Sequence, residues 1–392
     1  MKSISEELNL NNKKILLRLD LNVPLIDGKI TDTTRIDKIL PTLKFLISQN
    51  TKIIIISHVG RPKGEVVNEL SLRPICQDLE IKLNQNIKLI TKDIKEIALK
   101  DLFNNDDEKI VMLENIRFYP DEEKNNSHFA KQLASLADIY VNDAFSCSHR
   151  AHASIDEITN FLPCYSGLQL YLEVDALKKI TSEIKKPITC IIGGSKVSTK
   201  INIIKNLIPR FDNIIIVGGM ANNIIKYMGN NIGKSLQEEN SDTIIKEIIS
   251  LSETENCKII YPQDVVVGKN LNDSPLIKEL NEISKDDMIL DIGPKTISMI
   301  NNIIDKSNTI LWNGPAGYFE NPSFANGSIE IAKKIIDNNK SNKIYSVAGG
   351  GDTVSLLNSL NAVKDFNFVS TAGGAFLEFL EGKELPGIRA LN

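Results

Sequence analysis

The chain has 392 residues, more than one ordinary hydrophobic core supports, so we expect two domains. Its formal net charge of −4 argues against nucleic acid or an anionic membrane surface as the main partner. No apolar run is long enough to span a bilayer, and the start MKSISEELNL lacks the features of a signal peptide. Five cysteines without a CxxC pair fit a reducing cytoplasm and indicate no cysteine-based metal site.

Short β-branched runs alternate with helical segments along the whole chain. The runs cover residues 53–56, 110–113, 139–141, 188–192, 214–217, 259–261, 310–312, 344–347 and 366–369. Continuous apolar runs of this length are typical of parallel strands that are buried on both faces. We therefore predict an α/β fold with two doubly wound parallel-sheet domains joined by a central hinge helix.

Polar and basic segments follow the strands of the front half, at the strand ends where open parallel sheets bind ligands. The run LLRLDLNVP (16–24) begins as a strand, and its alternation places Arg18, Asp20 and Asn22 on one face. Later strands are followed by SHVGRP (57–62), ENIRFYP (114–120) and NDAFSCSHRAH (142–152). If these loops converge, guanidinium, imidazole, carboxylate and amide groups surround one pocket.

Arginine is unevenly distributed in this lysine-rich chain. Eight of the 46 basic residues are arginines, and six of these fall in the first 150 residues. The planar fork of arginine matches carboxylate and phosphate oxygens, so the front half is predicted to bind a small, highly anionic ligand. His149 and His152 leave two other interpretations open, packed structural histidines or a zinc site, although no third zinc ligand lies at motif spacing.

Segment 167–187, GLQLYLEVDALKKITSEIKKP, is predicted to be one amphipathic helix that begins after Gly167 and stops at Pro187. Its apolar stripe consists of Leu170, Val174, Leu177, Ile180 and Ile184. Because it separates an arginine-rich half from a glycine-rich half, we interpret it as a stiff connector. An ordinary surface helix within a single domain is the alternative.

Glycine-rich turns follow the strands of the back half. They are GGSKVSTK (193–200), GGMAN (218–222), NGPAGYFE (313–320), GGGDT (349–353) and TAGGA (371–375). Three of them lead into predicted helices, where glycine amides and the helix start favour phosphate binding. Lys196 and Lys200 lie four residues apart and could point the same way, and Asp352 could cap a helix or hold magnesium on a nucleotide. The back half is therefore predicted to bind a nucleotide.

Eight motifs together resemble the successive signatures of the phosphoglycerate kinase family. They are LRLDLNVP, SHVGRP, LENIRFYPDEE, DAFSCSHRAHAS, GGSKVSTK, WNGPAGYFE, GGGDT and STAGGAFLEFLEGKELPG, and they cover essentially the whole chain. The resemblance implies a 3-phosphoglycerate-binding domain at 1–168 with a returning tail at about 383–392. It further implies a hinge helix at 169–186 and a nucleotide-binding domain at 187–382, in a monomeric cytoplasmic enzyme of glycolysis and gluconeogenesis.

The reaction implied by the resemblance is reversible phosphoryl transfer between 1,3-bisphosphoglycerate and ADP, giving 3-phosphoglycerate and ATP with Mg²⁺. These small molecules would be the partners, with no nucleic acid and no membrane. The glycerate substrate would be held by Asp20, Asn22, Arg35, His58, Arg61, Arg117 and Arg150. The nucleotide would be held by Lys196, Lys200, Asn313, Glu320, Gly349, Gly350, Gly351, Asp352 and Thr353, with Asp352 reaching the magnesium ion.

Phosphoryl transfer depends on positioning and charge stabilisation more than on covalent chemistry. The acceptor carboxylate is already ionised at neutral pH, so we expect neither a general base nor a covalent intermediate. We assign Arg35 and Lys196 to the charge on the phosphoryl group in flight, and amides near Gly350 and Gly373 to its oxygens. Since Arg35 and Lys196 lie in different halves, we expect domain closure, which also excludes water.

The chain departs from the usual family pattern at a few positions. Ala372 stands where a glycine is usual and would be strained if that residue needed a positive φ, while Ser195 and Thr199 stand where alanine and aspartate are common. One alternative function is a kinase for acetate or an amino-acid carboxylate, whose pocket would need fewer arginines. Another is a hinged anion-binding protein, which would have no use for the lysine, aspartate and glutamate of the back half together.

Overall fold

The structure, a computed structural model, describes residues 1–103 and 108–392. The chain divides into two compact units. Unit 1 consists of Met1–Asp175 and Glu384–Asn392, and unit 2 consists of Ala176–Lys383. Within the described residues, no helix combines the length and the apolar character needed to cross a bilayer.

Unit 1 is organised around a six-stranded parallel sheet with the order β5-β6-β4-β1-β7-β8. Its strands are β1 (Lys14–Leu19), β2 (Leu25–Ile26), β3 (Lys29–Ile30), β4 (Lys52–Ile56), β5 (Ile87–Ile90), β6 (Ile110–Leu113), β7 (Ile139–Asp143) and β8 (Cys164–Ser166). Strands β2 and β3 pair only with each other, as an antiparallel ribbon. In the centre of the sheet, Leu16 pairs with Ile54 on one side and with Tyr140 on the other, and all three are fully buried.

The helices of unit 1 follow its strands in alternation. They are α1 (Thr34–Ser48), α2 (Arg73–Leu83), α3 (Leu99–Leu102), α4 (Pro120–Glu123) and α5 (Ser127–Ala134). One core cluster joins the isoleucines and leucines of β1 and β4 to the buried faces of α1 and α2. Burying these apolar side chains fixes the strand ends, from which the polar loops emerge.

Helix α6 (Leu168–Thr181) contains the boundary between the two units, which falls between Asp175 and Ala176. Its apolar stripe is buried as predicted as far as Ile180. The prediction that the helix continues to Pro187 is wrong. After Thr181 the sequence SEIKK offers one half-buried isoleucine among exposed polar residues, so no continuous apolar face holds another turn.

Unit 2 contains a second six-stranded parallel sheet, with the order β11-β10-β9-β15-β16-β17. The strands of the unit are β9 (Ile188–Gly193), β10 (Asn213–Val217), β11 (Lys258–Ile260), β12 (Asp264–Gly268), β13 (Leu276–Glu279), β14 (Met288–Ile292), β15 (Thr309–Asn313), β16 (Tyr345–Gly349) and β17 (Phe368–Ser370). Strands β12, β13 and β14 form a separate antiparallel sheet with β12 in the middle.

The helices that follow are α7 (Ile201–Leu207), α8 (Gly219–Tyr227), α9 (Asp242–Thr254), α10 (Pro294–Lys306), α11 (Asn326–Lys340), α12 (Gly351–Ser359), α13 (Gly374–Leu380) and, in the tail belonging to unit 1, α14 (Pro386–Arg389). The core of unit 2 includes Trp312, which is fully buried on β15. Its ring stacks against that of Phe366, with 6.2 Å between the ring centroids. The prediction of an α/β fold with two parallel-sheet domains is confirmed. The strands β5 and β8, the ribbon β2–β3 and the antiparallel sheet were not predicted.

Candidate functional site

Each parallel sheet has a point at which strands are added on both sides of its first strand. In unit 1, β4 and β7 flank β1, and in unit 2, β10 and β15 flank β9. At such a point the neighbouring connections leave in opposite directions and open a crevice at the carboxyl ends of the strands. The segments that follow β1, β7, β9 and β15 are therefore placed to bind ligands.

Asp20 and Arg35 form an ion pair just beyond the end of β1. Nη1 of Arg35, in the first turn of α1, lies 2.9 Å from Oδ2 of Asp20. Ser146, from the segment after β7, donates to the same carboxylate. Oδ1 of Asn22 accepts a hydrogen bond from the Gly60 amide at 2.9 Å. The structure thus brings the predicted residues Asp20, Asn22 and Arg35 together and adds Ser146, which the sequence did not single out.

Arg18 lies in the interior of unit 1, and its side chain is 0% exposed. Its Nε donates to Oγ of Ser154 at 3.0 Å, and its Nη2 lies 3.0 Å from Nδ1 of His58. The prediction that Arg18 shares one strand face with Asp20 and Asn22 is wrong. Strand β1 ends one residue before Asp20, so its alternation does not continue into the loop.

A buried carboxylate lies beside Arg18. Glu122 is 0% exposed, and its two oxygens accept from Oγ and the amide of Ser154 at 2.6 and 2.9 Å. Burial raises the pKa of Glu122, whereas the Arg18 guanidinium and the bonds from Ser154 act in the opposite direction. His152 Nδ1 lies 3.8 Å from this carboxylate, but burial and the nearby arginines lower the pKa of His152 to about 3. His152 is therefore neutral, and its contact with Glu122 is not an ion pair.

His58 is also neutral, and its tautomer follows from its neighbour. Burial, followed by the charges of Arg18 and Arg117, holds the pKa of His58 well below its usual value. A guanidinium can only donate, so Nδ1 of His58 accepts from Arg18 and the ring proton resides on Nε2. The Nε2–H group is then available to donate to an anionic oxygen.

The remaining predicted arginines of unit 1 follow neighbouring strands but differ in exposure. Arg61, after β4, is exposed. Arg117, after β6, is buried, and its Nη1 donates to the Gly60 carbonyl at 3.0 Å. Arg150, after β7, is half-buried, and its Nε donates to Nε2 of His149 at 3.1 Å. Since β6, β4, β1 and β7 are neighbours in a parallel sheet, all these residues belong to one sheet edge.

In unit 2, Lys200 and Asn313 connect the ends of β9, β15 and β16. Nζ of Lys200 donates to the Gly193 carbonyl at 2.7 Å and to Oδ1 of Asn313. Nδ2 of Asn313 donates to the Gly349 carbonyl at 2.7 Å. Burial lowers the pKa of Lys200 to about 8, whereas the charge of Asp352 acts in the opposite direction.

Lys196 has different surroundings from Lys200. It is exposed in the turn after β9, and α7 begins at Ile201, after both lysines. The two lysines therefore do not share a helix face. Lys196 is free to extend into solvent, whereas Lys200 is folded against the strand ends.

The GGGDT turn leads from β16 into α12. Gly350 has a φ of +96°, and a Cβ atom there would lie 2.6 Å from Nδ2 of Asn313, so only glycine fits. Thr353 is fully buried, and its Oγ1 accepts from the Gly314 amide at 2.7 Å. Asp352, in the first turn of α12, is exposed. This turn thus presents backbone amides and one carboxylate, while the threonine holds it in place.

In the TAGGA turn, Gly373 takes the positive φ, +55°, directly before α13. Ala372 is not among the residues with positive φ. The alanine therefore causes no backbone strain of the kind considered from the sequence.

A cavity of about 290 Å³ lies in unit 2 beside these turns. Its walls come from the turns after β9, β10 and β15, from β14 and from loop residues such as Leu236 and Leu271. Most of the lining is apolar, and the exposed carboxylates of Glu320 and Asp352 also line it. The buried Asp291 in the wall accepts from the Gly327 amide at 2.7 Å, and burial raises its pKa to about 7. An apolar slot beside glycine-rich turns suits a planar base that carries a polar, phosphorylated group.

Comparison with known proteins identifies the family. The family model for phosphoglycerate kinase matches residues 5–383. The chain belongs to the phosphoglycerate kinase family. Phosphoglycerate kinases of Wolbachia pipientis from Culex pipiens and of Wolbachia pipientis wMel are 46% and 47% identical to it, over 98% and 99% of this chain and 98% of each relative.

Solved structures of phosphoglycerate kinases are also similar to this chain. Phosphoglycerate kinase from Coxiella burnetii matches with a TM-score of 0.92 and 38% identity, covering 99% of this chain and 98% of that one. The enzyme from Pyrococcus horikoshii OT3 matches with a TM-score of 0.82 and 28% identity, covering 100% and 98%. This member of the phosphoglycerate kinase family is therefore a phosphotransferase, a glycolytic kinase that uses a nucleotide and acts on small-molecule substrates.

The sequence of this family member did not reveal the apolar wall of the cavity. Leu236 and Leu271 lie in polar segments and are 54% and 43% exposed, and β14 belongs to the sheet that was not predicted. The only sequence feature that could have indicated this wall is a leucine within a polar loop. It is weak, because single exposed apolar residues are common on protein surfaces.

The exposed carboxylates in the cavity lining fit a magnesium ion carried by a nucleotide. Among the described residues, no group of three or more His, Cys, Asp or Glu side chains could hold a metal ion. Magnesium in kinases is bound largely by substrate phosphates and water, with one or two protein carboxylates. Asp352, at the start of α12, is an exposed carboxylate of this kind in the cavity wall.

Proposed function

We propose that this protein transfers a phosphoryl group reversibly between 1,3-bisphosphoglycerate and ADP, giving 3-phosphoglycerate and ATP. The observation that carries the proposal is the presence of two strand-end sites of different chemistry in one member of the family. One site is rich in arginine, and the other combines glycine-rich turns, two lysines and an apolar cavity. A three-carbon acid phosphate suits the first, and a nucleotide suits the second.

The glycerate substrate binds at the sheet edge of unit 1. Its ligands are Asp20, Asn22, Arg35, His58, Arg61, Arg117 and Arg150. Guanidinium forks and the Nε2–H of His58 donate to its phosphate and carboxylate oxygens. Asp20 and Asn22 accept from its hydroxyl group. The Arg18–Ser154–Glu122 cluster supports this site from beneath by fixing the His58 ring.

The nucleotide binds in unit 2, with its base in the cavity. The residues that hold it, by direct contact or by supporting the turns, are Lys196, Lys200, Asn313, Glu320, Gly349, Gly350, Gly351, Asp352 and Thr353. Asn313 and Thr353 are buried and hydrogen-bonded within the protein, so they act by holding the turns that face the phosphates. Asp352 holds the magnesium ion, which supplies charge neutralisation on the phosphate oxygens.

The chain's own groups stabilise the phosphoryl group during transfer. Arg35 and Lys196 neutralise its charge, and amides at Gly350 and Gly373 donate to its oxygens, since amides at a helix start have no partner inside the helix. The attacking group is an ionised carboxylate, so transfer proceeds directly, without a general base or a covalent intermediate.

Transfer also requires the units to close, because Arg35 belongs to unit 1 and Lys196 to unit 2. We expect the radius of gyration from X-ray scattering to fall when 3-phosphoglycerate and MgATP are both present, and to change less with either alone. An unchanged radius with both ligands would contradict closure. The same mechanism acts in a cytoplasmic monomer, so scattering should also give the mass of one chain, 43.6 kDa.

Replacing Arg61 with methionine should weaken ligand binding at the site of unit 1 and leave binding at the site of unit 2 unchanged. Arg61 is exposed, so its loss removes a ligand contact without disturbing the core. A hydrogen bond from a charged donor contributes about 1.5–3 kcal/mol, so calorimetry should show roughly 10- to 100-fold weaker binding of 3-phosphoglycerate with ADP binding unchanged. Arg73→Met, another exposed arginine of unit 1, is the matched control and should bind both ligands normally. Equal effects of the two variants would contradict the assignment of Arg61.

A further inference from the structure

The cavity wall of unit 2 contains a buried amide whose oxygen is unused. Asn222, on α8, lines the cavity and is 2% exposed. Its Nδ2 donates to the Leu236 carbonyl at 2.9 Å, which fixes the orientation of the amide group. Its Oδ1 has no hydrogen-bond partner among the described residues. A buried acceptor without a partner is uncommon in folded proteins and calls for a donor.

The neighbouring Asn223 is a useful comparison, because it is a buried asparagine whose side-chain oxygen does have a hydrogen-bond partner. Asn223 is equally buried, but its Oδ1 accepts from the Glu238 amide at 2.8 Å and it does not line the cavity. Each of the two residues therefore makes one hydrogen bond to the backbone of segment 236–238. Of the two, Asn222 is the one that lines the cavity and has an acceptor oxygen without a hydrogen-bond partner among the described residues.

A nucleotide offers few groups that could satisfy this oxygen. Its phosphates are acceptors only, and the remaining donors are the ribose hydroxyls and, in adenine, the exocyclic amine. Glu320 is an exposed carboxylate in the same cavity and is the better acceptor for hydroxyl groups. Asn222 instead belongs to a lining that is mostly apolar, which suits the base.

We infer that Oδ1 of Asn222 accepts a hydrogen bond from the exocyclic amine of adenine and so determines the choice of base. The inference rests on the proposed nucleotide site and adds a specificity-determining residue to it. Hypoxanthine and guanine carry a keto oxygen where adenine carries the amine, so two acceptors would face each other. A site that presents an unsatisfied acceptor selects against such ligands.

The first arm of the test uses the unmodified protein and needs no turnover. Dissociation constants are measured by calorimetry for ADP, for IDP, and for purine riboside 5′-diphosphate, which has no substituent at the 6-position. Loss of one neutral hydrogen bond predicts that the unsubstituted analogue binds about tenfold more weakly than ADP, and the facing keto oxygen predicts that IDP binds at least as weakly. Equal affinities for the three ligands would overturn the inference, while tight ADP binding would leave the nucleotide site itself intact. Failure of all three to bind would overturn the proposed site as well.

The second arm separates base reading from the contact with Leu236. Asn222→Leu removes both the acceptor and the donor, and should weaken ADP binding about tenfold without weakening IDP binding. Asn222→Asp keeps an acceptor towards the base but cannot donate to the Leu236 carbonyl when ionised, and should retain the preference for ADP. If the amide only held the loop, both variants would weaken ADP and IDP equally, and the inference would be wrong. Thermal melting of both variants verifies that they are folded.

Discussion

Replacement of Arg35 with methionine is expected to lower kcat by about 10²- to 10³-fold. Arg35 lies at the start of α1 and is partly exposed at the sheet edge of unit 1. Its Nη1 is 2.9 Å from Oδ2 of Asp20. Removing one preorganised donor from charge that develops in a transition state typically costs this much in rate. Because the interaction is proposed to be stronger in the transition state than in bound ATP, the KM for ATP should change much less than kcat. Steady-state kinetics with saturating 3-phosphoglycerate measures both.

Two control variants make the Arg35 result specific. Arg73→Met removes an exposed arginine of the same unit and should leave kcat within about twofold. Arg35→Lys keeps the charge without the planar fork, and should recover only part of the rate. Circular dichroism checks that the loss of the pairing with Asp20 has not unfolded unit 1. A kcat for Arg35→Met within threefold of the unmodified protein would remove Arg35 from the chemistry.

Replacement of Arg18 with methionine is expected to cause the largest loss of stability, about 3–5 kcal/mol in unit 1. Its side chain is fully buried, donates to Ser154 and contacts His58, and Ser154 in turn donates to the fully buried Glu122. The Arg18 charge offsets part of the cost of burying the Glu122 carboxylate, so its removal leaves a buried charge less compensated, which is costly. Hydrogen exchange of the β1, β4 and β7 amides measures the loss, and amides of unit 2 provide a reference within the same molecule.

The double variant Arg18→Met/Glu122→Gln distinguishes the buried charge from lost packing. If the uncompensated carboxylate dominates, neutralising it should recover a substantial part of the stability, since replacing both partners of a buried pair is much less costly than removing one. A double variant less stable than the single one by the full effect of Glu122→Gln would instead indicate independent contributions. A single Arg18→Met variant within 1 kcal/mol of the unmodified protein would contradict the account of this cluster.

The parallel sheets could be predicted because their strands carry a strong local signal. Runs such as KIIII at β4 and NIIIV at β10 are buried on both faces after their first residue, and every residue after the first is apolar. The two outer strands of the antiparallel sheet lack this signal, since β13 is largely exposed and β14 contains Asp291. Strand β8 has three residues, two of them half-buried, and is recognisable only from its pairing with β7.

The sequence indicates which loops meet at the candidate site, but not how their side chains are arranged. The loops after the strands carry the polar residues, and the shared edge of a parallel sheet is enough to collect them. Which side chains face outwards depends on where a strand ends. Arg18 and Asp20 are two residues apart, yet one is fully buried and the other lies at the edge with Arg35. Likewise, Nδ2 of Asn222 donates to the Leu236 carbonyl, 14 residues away, and so fixes the position of the unused Oδ1, which the sequence does not show.

The most direct measurement of the proposed activity is ADP release from MgATP with 3-phosphoglycerate, acetate or no acceptor. A coupling enzyme must consume the acyl phosphate, because its formation is unfavourable. The account predicts strong dependence on 3-phosphoglycerate, negligible rates with acetate or without acceptor, and loss of turnover in Lys196→Ala with folding preserved, since Lys196 is exposed. ADP release that is independent of 3-phosphoglycerate, or full activity of Lys196→Ala, would contradict it.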